Sequence, residues 1–276
     1  MQRAWLDESF EDPLERHWRV STPGGGIARV EQSVLRLELP QASRRRYSNA
    51  QIDSHRSGSQ AKRLWQPPLR LEVRARTSHP VQPADQVSEP ETGPQRYLRG
   101  TAGFGFWNEP LTMAGGWPKL PDAVWFFAAS EPSSMRLLPD SPGRGWKAQM
   151  VRSHRWGAFI AGVGAAGAIV GTWLGGSEQT ALRSIQRMTG AREALLEVNT
   201  TEWHDYVIDW QADTVQYWVD GSRVLEALRP PGEPLVFVAW IDNQYAIVSP
   251  RGAIRFGLVD CGVQWLELDN IRIFRL

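Results

Sequence analysis

Cysteine is nearly missing from this chain of 276 residues: Cys261 stands alone, which excludes an internal disulfide framework and a zinc site built on thiolates. Lysine is scarce too, occurring only at positions 62, 119 and 147, so arginine carries the basic charge, a bias we read as compositional rather than chemical. Neither sign of charge is in surplus. With 31 basic and 30 acidic residues the formal net charge is +1, without the basic excess expected of a nucleic-acid binder. The opening Met1-Gln-Arg-Ala-Trp-Leu-Asp-Glu-Ser-Phe10 shows no charged start followed by an apolar stretch, hence no secretory signal. That points to the cytoplasm, or to secretion if this chain begins after processing. The histidines at 17, 55, 79, 154 and 204 have no partner at metal-binding spacing, so no metal is expected. A Gly-x-Ser-x-Gly elbow is also absent, which removes the usual esterase reading.

What the chain does have is apolar residues, 42% of the total, enough for a sizeable core. Its aromatic content is lopsided, 14 Trp against 9 Phe and 5 Tyr. Strand patterning dominates. Leu69 to Arg76 alternates apolar and charged residues, placing Leu69, Leu71, Val73 and Ala75 on one face. Val34 to Leu39 repeats the pattern over a shorter span. Thr101–Asn108, Ala123–Ala129, Pro234–Ile241 and Trp265–Phe274 read as further strands. Asp205–Trp210, Thr214–Val219 and Ser222–Glu226 form a meander, with Asp220-Gly221 as a two-residue turn needing positive φ at both positions. Residues 77–100 hold four prolines among polar residues and are expected to form a mobile surface loop. The expectation is one all-β sandwich or jelly-roll domain over 1–276.

Residues 155–195 break the pattern as a Gly/Ala-rich, partly helical insertion. Gly157 to Leu174 is apolar, and Ser177 to Met188 reads as a short amphipathic helix. Gly162-Val-Gly-Ala-Ala-Gly167 matches a dinucleotide fingerprint in spelling, but no second parallel strand follows, so no cofactor is expected. At the lower limit for a membrane span, 157–174 leaves a membrane or partner contact open; burial against the sandwich is favoured, since five glycines weaken an isolated helix by about 1 kcal/mol each.

Trp203-His-Asp-Tyr-Val-Ile-Asp-Trp210 followed by Val215-Gln-Tyr-Trp-Val-Asp-Gly221 resembles a hairpin of the concanavalin A-like lectin/glucanase superfamily, most closely that of glycoside hydrolase family 16. The edges Asp7–Phe10 with Trp18, and Leu268–Ile273, are similar as well. The resemblance implies a curved two-sheet sandwich with a ligand groove on its concave face. It also implies a Glu-x-Asp-x-x-Glu motif on a central concave strand, which this chain lacks. The strand expected there has Val-Trp-Phe-Phe-Ala-Ala at its middle, and Glu267-Leu-Asp269 elsewhere is followed by Arg272 where the last acid belongs.

Three uses of such a groove are weighed. As a glycan-binding face, Trp107, Trp117, Trp125 and Trp240 are candidate stacking platforms, with Asn243 and Gln244 as hydrogen-bonding groups. The alternative for each Trp is a place in the core, and for the polar triplet at Asp242 a turn. As an atypical cleft enzyme, Glu109, Asp122 or Asp242 would carry the chemistry, a general acid gaining a raised pKa from neighbouring tryptophans. Glu109 ends one strand and Asp122 opens the next, so those two should meet. In the third, 157–174 caps the groove to make a pocket for a small apolar ligand, a lipid or isoprenoid.

Overall fold

A computed structural model describes residues 4–12, 14, 17–54, 64–86, 94–108, 122–138, 140–152, 190–248 and 254–276. Among them the strands, in chain order, are β1 (Ala4–Glu8), β2 (Trp18–Ser21), β3 (Ile27–Glu31), β4 (Val34–Leu39), β5 (Asn49–Ser54), β6 (Leu64–Trp65), β7 (Leu69–Thr77), β8 (Thr101–Trp107), β9 (Ala123–Ala129), β10 (Gly145–Val151), β11 (Arg192–Leu195), β12 (His204–Trp210), β13 (Thr214–Val219), β14 (Ser222–Leu228), β15 (Leu235–Asp242), β16 (Gln244–Val248), β17 (Ile254–Leu258) and β18 (Gln264–Arg275). They build two antiparallel sheets. Sheet A runs β14-β13-β12-β7-β18-β4-β3, with β1 also against β18; sheet B runs β11-β10-β9-β8-β15-β5-β2, with β6 against β15. Hairpin β16–β17 stands apart from both. This is the jelly-roll sandwich expected from the strand pattern.

Period-two burial explains sheet A. Along β7 the burial alternates, so Leu69, Leu71, Val73 and Ala75 face sheet B while Arg70, Glu72, Arg74 and Arg76 face outward. In β18 the alternation slips: Leu266 and Leu268 face the core, and so do Ile271 and Ile273. A register shift between Leu268 and Asn270 absorbs the extra residue. The Asp220-Gly221 turn has φ of 49° and 77°, as its two-residue length demands.

The core lies between the sheets and is aromatic at its centre. Phe126 of sheet B meets Tyr206 and Tyr217 of sheet A with ring centroids 4.9 and 5.5 Å apart, both edge-on. Each such pair adds about 0.5–1.5 kcal/mol beyond area burial. The Tyr217 hydroxyl reaches across to donate to the Gln149 carbonyl at 2.7 Å, satisfying a group that burial would otherwise penalise. Outward on sheet A, Arg36 and Arg76 clamp Glu267 at 2.6 and 2.8 Å, so this acid of the incomplete motif serves as a sheet tie.

Sheet B differs in that its middle strands, β8, β9, β10 and β15, are buried on both faces. All seven residues of β9 and of β10 are buried. Phe126, Ala128, Ala148 and Met150 face sheet A, whereas Ala123, Trp125, Phe127, Ala129 and Val151 form a second apolar cluster on the outer face. The 155–195 insertion ends within the fold, since its last residues form the sheet-edge strand β11. Residues 157–174 and the helix expected over 177–188 lie outside the described residues.

Candidate functional site

The strand register lays out the outer face of sheet B. Rows of directly paired residues cross it: Glu193–Gln149–Trp125–Gly105–Val238–Asp53–Arg19 is one, and Lys147–Phe127–Gly103–Trp240–Gln51–Ser21 is the next. Aromatics fill the middle strands, and polar side chains fill both flanks.

Three of the four expected tryptophans meet there. Trp107 and Trp240 lie nearly parallel, 10° apart with centroids at 6.5 Å, and Trp125 touches them at 6.3 and 5.3 Å. Phe127, which the sequence did not single out, joins at 5.4 Å from Trp125 and 6.0 Å from Trp240. Gly103 of β8 leaves room for a close approach, and the approaching group is the indole of Trp240. A Cβ on Gly103 would sit 2.9 Å from Cη2 of Trp240, and Gly105 has φ +145° and would meet the Val124 carbonyl at 2.5 Å. Trp125 and Trp240 are only 8% and 9% exposed, so they are packed into a cluster more than laid bare. Trp117 and Glu109 lie outside the described residues.

Two of these indoles are tethered in the same way. Trp125 donates to Gln149 Oε1 at 2.8 Å, Gln149 donates to Glu193 Oε2 at 2.6 Å, and Lys147 closes on Glu193 at 3.0 Å while also donating to the Pro142 carbonyl. Burial pushes the Lys147 ammonium below its ordinary range, and Glu193 pulls it back. On the other side Trp240 donates to Thr101 Oγ1 at 3.0 Å, and Thr101 donates to Asp242 Oδ1 at 2.7 Å. The Trp107 indole nitrogen, also enclosed, has no partner among the described residues.

Asp242 is sealed in. The Gln244 amide donates to it at 3.1 Å and the Tyr47 hydroxyl at 3.4 Å. Burial lifts its carboxyl from 3.8 to about 6, the hydrogen bonds from Thr101, Gln244 and Tyr47 pulling the other way. Asn243, entirely enclosed, accepts from the Ser48 amide and donates to the carbonyls of Ser43, Arg46 and Val259. Its amide staples the surrounding loops, and the side chain is enclosed by them. Gln244 opens β16 and is partly exposed. Asp122 is partly buried at the opposite end of β8, its carbonyl accepting from the Asn108 amide at 3.1 Å, while the expected meeting of Glu109 with Asp122 lies outside the described residues.

Among the described residues the carboxylates of the face do not pair. Asp122 and Asp242 flank opposite ends of the seven-residue β8, about 20 Å apart at about 3.3 Å per residue. Glu193 and Asp53 stand five strands apart, about 24 Å at about 4.8 Å each. Four residues of strand separate Asp53 from Asp242, about 13 Å. Glycosidase pairs stand about 5–9.5 Å apart.

The β5 flank escaped notice in the sequence because its polar letters read as loop. Asn49 donates to Gln51 and Gln51 to Asp53, both at 3.3 Å, and Arg19 donates to Asp53 at 2.9 Å. Asn49 Oδ1 and Asp53 Oδ1 stay without partners among the described residues. Past the ends of β9 and β15 a cavity of about 1070 Å³ is lined by Arg44, Arg99, Arg136, Arg144 and Tyr245; none of the floor aromatics lines it. Of the histidines, His17 binds Glu8 and His204 binds Asp220, both as local ties.

No family model matches the chain, and no curated protein matches it by sequence. Solved structures do match by fold. The β-glucanase of Bacillus licheniformis aligns with a TM-score of 0.53 at 11% identity, covering 100% of both chains. An endo-β-1,3-glucanase from Pyrococcus furiosus aligns at 0.52 and 10%, covering 99% of this chain and 94% of its own. The laminarinase catalytic domain of Thermotoga maritima, solved in complex with cetyltrimethylammonium bromide, aligns at 0.52 and 12%, covering 100% and 98%. The chain therefore has the concanavalin A-like jelly-roll fold of the family 16-type glucanases and laminarinases.

Proposed function

We propose that this protein binds carbohydrate on the outer face of sheet B, and that it does so without the paired carboxylates of a glycosidase. The observation that carries the reading is an aromatic floor, Trp107, Trp125 and Trp240, bordered by hydrogen-bonding side chains on β5. Sugar rings present apolar faces to indoles and hydroxyl edges to polar groups, and along this border the partly exposed Gln51 amide and the exposed Arg19 guanidinium are the groups within reach. The fold likeness to proteins named for glucan cleavage supports the ligand class. The spacing of the described carboxylates favours binding over hydrolysis, and Asp242, 5% exposed, lies too deep to touch a sugar. A cleft-enzyme reading then rests on Glu109 with Asp122 at the Asn108 end. Quenching of tryptophan fluorescence by laminarin and mixed-linkage β-glucan, backed by a glycan array, tests the proposal. W107A should weaken binding about two- to tenfold, the scale of one stacked aromatic contact. Silence across the whole panel overturns the binding reading, and loss of reducing-sugar release in E109Q would replace it with the enzyme.

A second reading is favoured by the apolar surroundings of the floor, where Ala123, Ala129, Val151, Val238, Met135 and Leu137 join the aromatics. In it the face holds the chain of a small apolar ligand, a lipid or isoprenoid, with 157–174 as its cap, a use that the surfactant named with the Thermotoga maritima laminarinase makes chemically reasonable. Titration with cetyltrimethylammonium separates the two: saturable quenching by the surfactant with none by glucans selects the apolar ligand.

A further inference from the structure

We propose that Asp242 is a positioning residue for the Trp240 indole, acting through the Thr101 hydroxyl, and that protonating Asp242 releases the indole and weakens ligand binding on the aromatic face. The second half rests on the carbohydrate-binding reading; the first does not.

The argument is one of hydrogen-bond polarity. A hydroxyl has one proton to give and two lone pairs to offer. An ionised Asp242 can only accept, so the Thr101 proton is committed to Oδ1 at 2.7 Å and the lone pairs are left for the Trp240 N–H at 3.0 Å. The indole is thereby fixed at two points, by Thr101 at its nitrogen and by the bare backbone of Gly103 under its far edge. Once protonated, Asp242 becomes a donor. If its proton goes to Thr101 Oγ1, the hydroxyl turns, its own proton faces the indole N–H, and two donors oppose each other. Trp240 then loses its acceptor and with it the parallel alignment on Trp107.

The groups around Asp242 do not blur this. Tyr47 faces it from the segment before β5, and burial together with Asp242 holds that phenol far above neutrality. Cys261 faces it from the stretch before β18, its thiol pushed up to about 11 by burial, with Arg99 and Asp260 beside it. Asn49, its cross-strand neighbour on β5, and the Gln244 amide do not titrate. Asp242, raised to about 6, is thus the group in this cluster that changes charge between pH 5 and 7.

Indole N–H resonances of the uniformly ¹⁵N-labelled full chain, followed from pH 4.5 to 8, test the relay without any ligand. The Trp240 peak, identified by its loss in W240F, should move with one midpoint near 6. It should stand still in D242N, and also in T101V, where Asp242 is intact but the link is cut. Trp210, whose indole donates to the Pro231 carbonyl, is the fixed reference. Well-dispersed spectra of both variants establish that they fold, and T101V carries the test if D242N does not. Laminarin should bind about fivefold more weakly at pH 5 than at pH 7, the scale of one neutral hydrogen bond. A Trp240 peak that is flat with pH, or that titrates unchanged in D242N, overturns the relay whatever laminarin does. A titrating peak with no laminarin binding at any pH upholds the relay and removes the carbohydrate reading.

Discussion

Replacing Lys147 with methionine deletes the cation that holds the Trp125 tether together. The ammonium is almost inaccessible, and the Glu193 side chain it meets at 3.0 Å is wholly enclosed. Methionine keeps most of the stem volume, so the main loss is charge. Glu193 would keep only the Gln149 bond on Oε2, and an enclosed carboxylate without its counter-ion costs about 3–5 kcal/mol. Against a total stability of about 5–15 kcal/mol that is about a fifth or more. In urea at pH 7.5, with a slope of about 2–3 kcal/mol/M, the midpoint should fall by roughly 1–2 M. The double variant K147M/E193Q should recover at least half the loss, since the amide carries no charge and can still accept from Gln149. A K147M protein within about 0.5 kcal/mol of the parent, the range of an exposed substitution, would show that the pair is solvated and refute the reasoning.

Asp242 gives a pH prediction. Its folded carboxyl is raised from 3.8 to about 6, so the native state keeps a proton that the unfolded chain has lost, and stability falls as pH rises through that window. D242N should therefore be more stable than the parent at pH 8, by at most about 3 kcal/mol, with the difference gone near pH 4 in thermal melts; a constant offset at both pH values would contradict it. Gly103→Ala should lose about 1–3 kcal/mol, because the new methyl collides with the Phe126 carbonyl and the edge of Trp240, and a neutral result in chemical denaturation would mean that the indole does not lie there.

Much of the sandwich was legible because its strands obey a two-residue rhythm or are continuously apolar. Val34–Leu39 and Thr214–Val219 coincide with β4 and β13. Strand β10 escaped because Lys147 and Gln149 are poor signals of burial, and they are buried only through partners on β11. Strand β5 escaped for the same reason: Asn49, Gln51 and Asp53 spell a loop until register sets them beside one another. Local patterning carries composition, but not which strand will be the neighbour. The aromatic part of the candidate site was therefore readable from tryptophan alone, whereas the polar groups that hold and border it were not. The Asn243 staple was hidden from the sequence for the same reason, its partners lying on loops distant along the chain.

Sheet A is wet on its outward side, studded with arginines; in sheet B the middle strands β8, β9 and β15 are covered above and below. A layer that meets oil on either hand gives water no route to its backbone amides. Deuterium should therefore enter β8, β9 and β15 last, after the arginine-faced layer has largely exchanged, so that the part of the molecule nearest a visitor is also the slowest to yield.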